Sequence, residues 1–243
     1  MVLMSDLIAV MIMAIIALPL KFYIDKCRYL KKLHEIKGIE SEQVYKDCKS
    51  QIKEVEIAIN KFAKSKKIHI IWTPSFKKLN ASAGIPLLIV LTGDWSFIAD
   101  KSKSALAYLY STIGHELSHK DKEPCYSCSK FTHNLKNHVR ETRADFCGVA
   151  FAMNFFEDRD FIIQSKFAYG LSDDNKDKKT DHPSNALRKA CLEKHKRFSI
   201  DVIKDIIEAK EYCDIGDKTT SPEYINILEQ KCYRGKIFRK GTF

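Results

Sequence analysis

The chain has 243 residues, 45% apolar and 30% charged, without low-complexity tracts or solenoid-period repeats. That balance admits one sizeable core plus an appendage and excludes a repeat array. Lys and Arg number 41 against 31 Asp and Glu, and the resulting +10 is spread along the chain, so it fits a nucleic-acid surface or anionic lipid equally and selects neither. The eight cysteines could pair, but a chain this long does not need staples, and Cys48 and Cys147 fall among apolar helix positions; they read as mostly reduced and cytosolic.

Residues 7–20 (LIAVMIMAIIALPL) form an uncharged run between Asp6 and Lys21. At ~1.5 Å per residue it reaches roughly 21 Å against a hydrocarbon core of ~30 Å, and it spans only if extended over residues 2–24. A cleaved signal peptide is the rival, but no Lys or Arg precedes the run and no small-x-small pattern follows it. Lys21, Lys26, Arg28, Lys31 and Lys32 do follow, and basic flanks stay on the cytoplasmic side. The expected layout is a membrane anchor with its basic flank over residues 1–32 and a catalytic domain over 33–243 facing the cytoplasm, with export as the alternative.

Val44, Cys48, Ile52, Val55, Ile59 and Phe62 recur at three and four, which predicts a packing helix over residues 41–64. Residues 68–72 (IHIIW) and 86–91 (PLLIVL) read as strands closed by Thr73-Pro74 and Gly93-Asp94, with His69 a structural histidine. A helix capped by Ser102 or Ser104 follows, with Leu106, Leu109, Ile113 and Leu117 as its buried stripe. It ends in His115-Glu116-Leu117-Ser118-His119. Histidines four apart lie one above the other on a helix and can offer two imidazole nitrogens to one zinc ion. Glu116 then stands at the flank of the metal, where it can take a proton from a zinc-activated water.

Cys125, Cys128, His133 and His138 have zinc-knuckle spacing, which admits a second, structural zinc. The plainer reading, a reduced CxxC loop with two histidines, is preferred because His138 falls within the next predicted helix. That helix covers about residues 134–156, turns Val139, Phe146, Val149, Ala150 and Met153 inward, and carries Glu141 and Asp145 on one side. Residues 172–181 form a charged loop, and a third helical region follows His182-Pro183.

A zincin helix supplies only two ligands, so a third must come from elsewhere. Glu141-Thr142-Arg143-Ala144-Asp145 resembles the Glu-x-x-Ala-Asp helix of the zinc metalloproteases grouped with HtpX and the CAAX prenyl protease. Asn80-Ala81-Ser82-Ala83 is similar to that family's Asn-Ala-x-Ala stretch, and His182-Pro183 with Arg188 to its His-Pro-x-x-x-x-Arg element. Asp181 stands where the family commonly has threonine. The family carries several transmembrane helices, whereas this chain has one doubtful segment.

The resemblance implies a gluzincin-type α+β domain, mostly helical with a small edge-exposed sheet and, here, one N-terminal apolar helix. It implies zinc on His115, His119 and Glu141, with Asp145 orienting a ligand histidine, Arg188 bracing Asp145, and His182 as a donor to the oxyanion. Residues 80–83 would receive an extended polypeptide by main-chain hydrogen bonds. The expected function is a zinc endopeptidase with Glu116 as general base. The alternatives are a basic zinc-knuckle nucleic-acid-binding protein, disfavoured because Tyr126 and Phe131 are too few for a stacking platform, and a peptidase-fold binding protein without turnover.

Overall fold

The computed structural model describes residues 20–21, 23–35, 40–62, 68–75, 80–83, 88–119, 133–169 and 182–209. The chain falls into two compact units, one of residues 1–80 with 90–100 and the other of 81–89 with 101–243. This division runs elsewhere than the residue 32 boundary drawn from charge and hydropathy. The described residues are mostly helical with one three-stranded sheet, an α+β arrangement.

In the first unit, helical residues 23–35 (α1) bury Tyr29 and Leu33, which are four apart and share a face. Helix α2 (Ser41–Phe62) buries Val44, Cys48, Val55 and Ile59 and leaves most of its lysines and glutamates in water, a one-sided packing helix. Strand β1 (His69–Pro74) is tied to α2 by polar side chains acting on backbone. Asn60 donates to the Ile68 carbonyl at 2.9 Å and accepts from the Ile68 amide at 2.8 Å, while Glu56 accepts from the Ile70 amide at 3.0 Å.

The sheet order is β1-β3-β2, with β2 at Asn80–Ser82 and β3 at Leu88–Gly93, so β1 and β2 are its edges. After β3, Asp94 caps the short helix α3 (Trp95–Ala99) by accepting from the Ser96 amide. The Tyr29 hydroxyl donates to Asp94 at 3.1 Å and accepts from the Trp95 amide at 3.0 Å.

The second unit is built on two packed helices, α4 (Lys103–Ser118) and α5 (His133–Ala152), with α6 (Arg159–Tyr169) against α4 and α7 (Asn185–Lys194) and α8 (Ile200–Ala209) against α5. Ser102 starts α4 by accepting from the Ala105 amide at 3.2 Å, a contact worth ~1 kcal/mol. Two glycines let α4 and α5 approach. A Cβ on Gly148 would overlap the Ser111 carbonyl oxygen and lie 3.1 Å from the His115 nitrogen, and one on Gly114 would lie 2.5 Å from the Phe151 Cβ.

Helix α5 ends at Ala152 and not at Phe156. The Asn154 side chain donates to the Phe151 carbonyl at 2.8 Å and closes the helix, so Met153, which periodicity turns inward, is 44% exposed. Helices α3 and α6 lie outside the sequence reading. Asp158 begins α6 by accepting from the Phe161 amide, and Arg159 donates to the carbonyls of Leu192 and His195 at the end of α7.

Among the described residues no helix is long and apolar enough to cross a membrane. The expected transmembrane anchor over residues 2–24, and the membrane-anchored location with it, are therefore withdrawn. Of that segment only residues 20, 21, 23 and 24 are described. There Leu20, Tyr23 and Ile24 share their helical turns with Lys21, Asp25 and Lys26, and such charges break an apolar span. The rest of the segment lies outside the described residues.

Candidate metal centre

His115 lies on the last turn of α4 and His119 is its C-cap with helical dihedrals, so the one-turn spacing persists through the helix end. The two Nε2 atoms are 3.1 Å apart. Helix α5 brings Glu141 to the same point, its Oε2 3.2 Å from His115 Nε2 and its Oε1 3.5 Å from His119 Nε2. Tetrahedral zinc with bonds of ~2.0–2.1 Å spaces its donors roughly 3.3 Å apart. The three observed separations bracket that value, so the residues fit the ion in donor chemistry and in spacing. Among the described residues this is the one His, Cys, Asp and Glu grouping that could hold a metal ion.

Behind the donors, Asp145 is fully buried and accepts from His115 Nδ1 at 2.9 Å. A carboxylate only accepts, so His115 carries a proton on Nδ1, and its Nε2, which meets Glu141 Oε2 at 3.2 Å, faces the cluster and is the atom that would ligate once its own proton is displaced. Arg188 grips Asp145 with Nε on Oδ2 at 2.6 Å and Nη2 on Oδ1 at 2.8 Å. Lys166, from α6, adds a contact to Oδ1 at 3.2 Å. His119 has a different neighbour, with Arg140 Nε donating to its Nδ1 at 3.1 Å. A guanidinium has no acceptor, and a neutral ring that binds metal through Nε2 carries its proton on Nδ1. Metal uptake by His119 therefore requires Arg140 to turn away.

The charges follow from burial and neighbours. Burial drives the Glu116 carboxyl above the usual carboxylate range, and the nearby histidines only partly offset it. Burial pushes Glu141 and Asp145 upward as well. In Glu141 hydrogen bonds from His115 and His119 outweigh it, and in Asp145 the charges of Arg188 and Lys166 do, so both are held low. His115 is raised, because its bonds to Asp145 and Glu141 overcome the desolvation that favours its neutral form.

The structure thus brings together His115, Glu116, His119, Glu141, Asp145 and Arg188, with His182 at the rim, its Nε2 3.5 Å from Glu141 Oε2 and its side chain 57% exposed. Asn80, Ala81 and Ser82 form the edge strand β2, and Ala83 follows it outside the strand. Of the second zinc grouping, Cys125, Cys128 and the side chain of His133 lie outside the described residues, and His138 is buried in α5. Residues 172–180 and Asp181 also lie outside them.

Sequence reasoning missed Arg140, Lys166 and the glycine pair. Gly148 carried a faint signal as a glycine inside a strongly periodic helix, whereas Lys166 carried none, since a lysine reads as surface. Comparison with family models, with curated proteins and with solved structures gives no match.

Proposed function

We propose that the chain is a zinc-dependent endopeptidase of the zincin type, with His115, His119 and Glu141 as ligands and Glu116 as general base. The observation that carries this reading is the half-buried Glu116 beside two imidazoles and a carboxylate set at ligand spacing. When bound, zinc supplies Lewis acidity, acidifying water and polarising a carbonyl.

The chain's own residues supply the rest. Burial raises the proton affinity of Glu116, which suits a group that takes a proton from water and returns it to a leaving amine. Asp145 fixes the His115 ring and Arg188 fixes Asp145. His182, exposed at the rim, is the candidate donor to the oxyanion that develops on the substrate carbonyl. Strand β2 is a sheet edge, and its Ala81 and Ser82 belong to the same compact unit as the metal cluster, which supports binding of an extended peptide through its main chain.

The test is zinc content and cleavage of an unfolded protein by the purified chain. Wild type is expected to hold about one zinc and to cleave, while Glu116→Gln keeps the metal and loses about a hundred- to ten-thousand-fold in rate. Zinc without cleavage in the wild type would leave a binding protein, and no zinc would end the metal reading.

A further inference from the structure

Asp145 is given more cation than its orientation requires. The Arg188 fork already holds both carboxylate oxygens and so sets the plane and direction of the group. Lys166 adds a second full charge 3.2 Å from Oδ1, the same oxygen that accepts from His115 Nδ1. Its side chain is only 8% exposed and comes from α6, an element separate from the three stretches that supply the ligands, Asp145 and Arg188.

That shared oxygen defines what the lysine does. A carboxylate on Nδ1–H enriches the imidazole and makes its Nε2 a stronger donor, and a cation on the same oxygen draws that density back. The lysine charge also opposes an incoming dication directly. Both effects weaken the hold on a metal, whereas a purely structural brace would strengthen it.

We propose that Lys166 is a positioning residue acting through Asp145, tempering the donor strength of His115 toward a bound metal ion while Arg188 supplies the orientation. This rests on the reading of His115, His119 and Glu141 as a metal site and not on the peptidase assignment. Burial, followed by the charge of Arg188, lowers the Lys166 pKa, and Asp145 is the first group that opposes the shift.

The experiment is zinc affinity at fixed pH, by competition with a zinc-sensitive dye, for the full-length wild type, Lys166→Met, Lys166→Arg and Arg188→Met. Lys166→Met is expected to bind zinc about three- to tenfold more tightly, Lys166→Arg within about twofold of wild type, and Arg188→Met about ten- to a hundredfold more weakly. Unchanged or weaker binding by Lys166→Met, with wild type binding normally, overturns the proposal. A wild type that binds no zinc overturns the metal site and this inference together. If Lys166→Met does not fold, Lys166→Gln carries the same expectation. A chain that tolerates neither makes Lys166 a structural counter-ion only, which also overturns it.

Discussion

The two compact units differ in the polar contacts that stand out in each. In the first, polar side chains meet backbone: Asn60 and Glu56 complete amides and a carbonyl of the β1 segment, and Tyr29 bridges Asp94 and the Trp95 amide. In the second, charged side chains meet one another, with Asp145 surrounded by His115, Lys166 and Arg188 and Glu141 facing His115, His119 and His182. Side chains that finish a backbone serve the fold alone, whereas a buried charge network is costly to break and is also where perturbed titratable groups gather.

Asp145→Asn breaks this contrast most severely. Removing one member of a buried charge network leaves Lys166 and Arg188 uncompensated, and the expected loss is about 3–5 kcal/mol, read from denaturant unfolding with hydrogen exchange localising it to α4 and α5. The same carboxylate gives the second unit an acid limb. Because its folded pKa is held below the ordinary value, its contribution is complete above ~3.9 and fades as pH falls through the folded pKa. Unfolding midpoints taken down the pH scale should show a smaller loss in Asp145→Asn than in wild type, the remainder coming from Glu141, which is also held low.

Gly148→Ala comes next. The added methyl meets the Ser111 carbonyl and forces α4 and α5 apart, costing about 1–3 kcal/mol and weakening zinc binding, so a loss of stability with unchanged affinity would contradict the role given to this contact. Asn60→Ala sharpens the contrast from the other side. It strands an amide and a carbonyl at Ile68, costs about 1–3 kcal/mol in melting experiments, and leaves zinc affinity unchanged. The smallest effect belongs to Arg140→Gln, whose amide oxygen can accept from Nδ1–H. Zinc affinity should rise about severalfold, measured by dye competition.

The sequence disclosed what is local. The three- and four-residue recurrence of Val44, Cys48, Val55 and Ile59 exposes α2, and the one-turn spacing of His115 and His119 exposes the ligand pair, because helical geometry turns short sequence separations into contacts. Glu141 lies 26 residues beyond His115, and only the resemblance pointed to it. Helix α6 escaped because it buries Ile162, Ile163, Ser165, Lys166 and Phe167 around more than one face, so its apolar residues make no single stripe. Met153 misled for a related reason, since periodicity carries no information about where an asparagine closes the helix.

The glycine contact between α4 and α5 and the grip of Arg188 and Lys166 on Asp145 use none of the Nε2 atoms that face the cluster. These contacts are expected to hold the scaffold without an ion, unlike small zinc modules whose folding and metal binding are one event. On the proposed metal-site reading, loading is expected to follow folding. Stripping with EDTA should leave its helical circular dichroism intact and be reversed by adding zinc back.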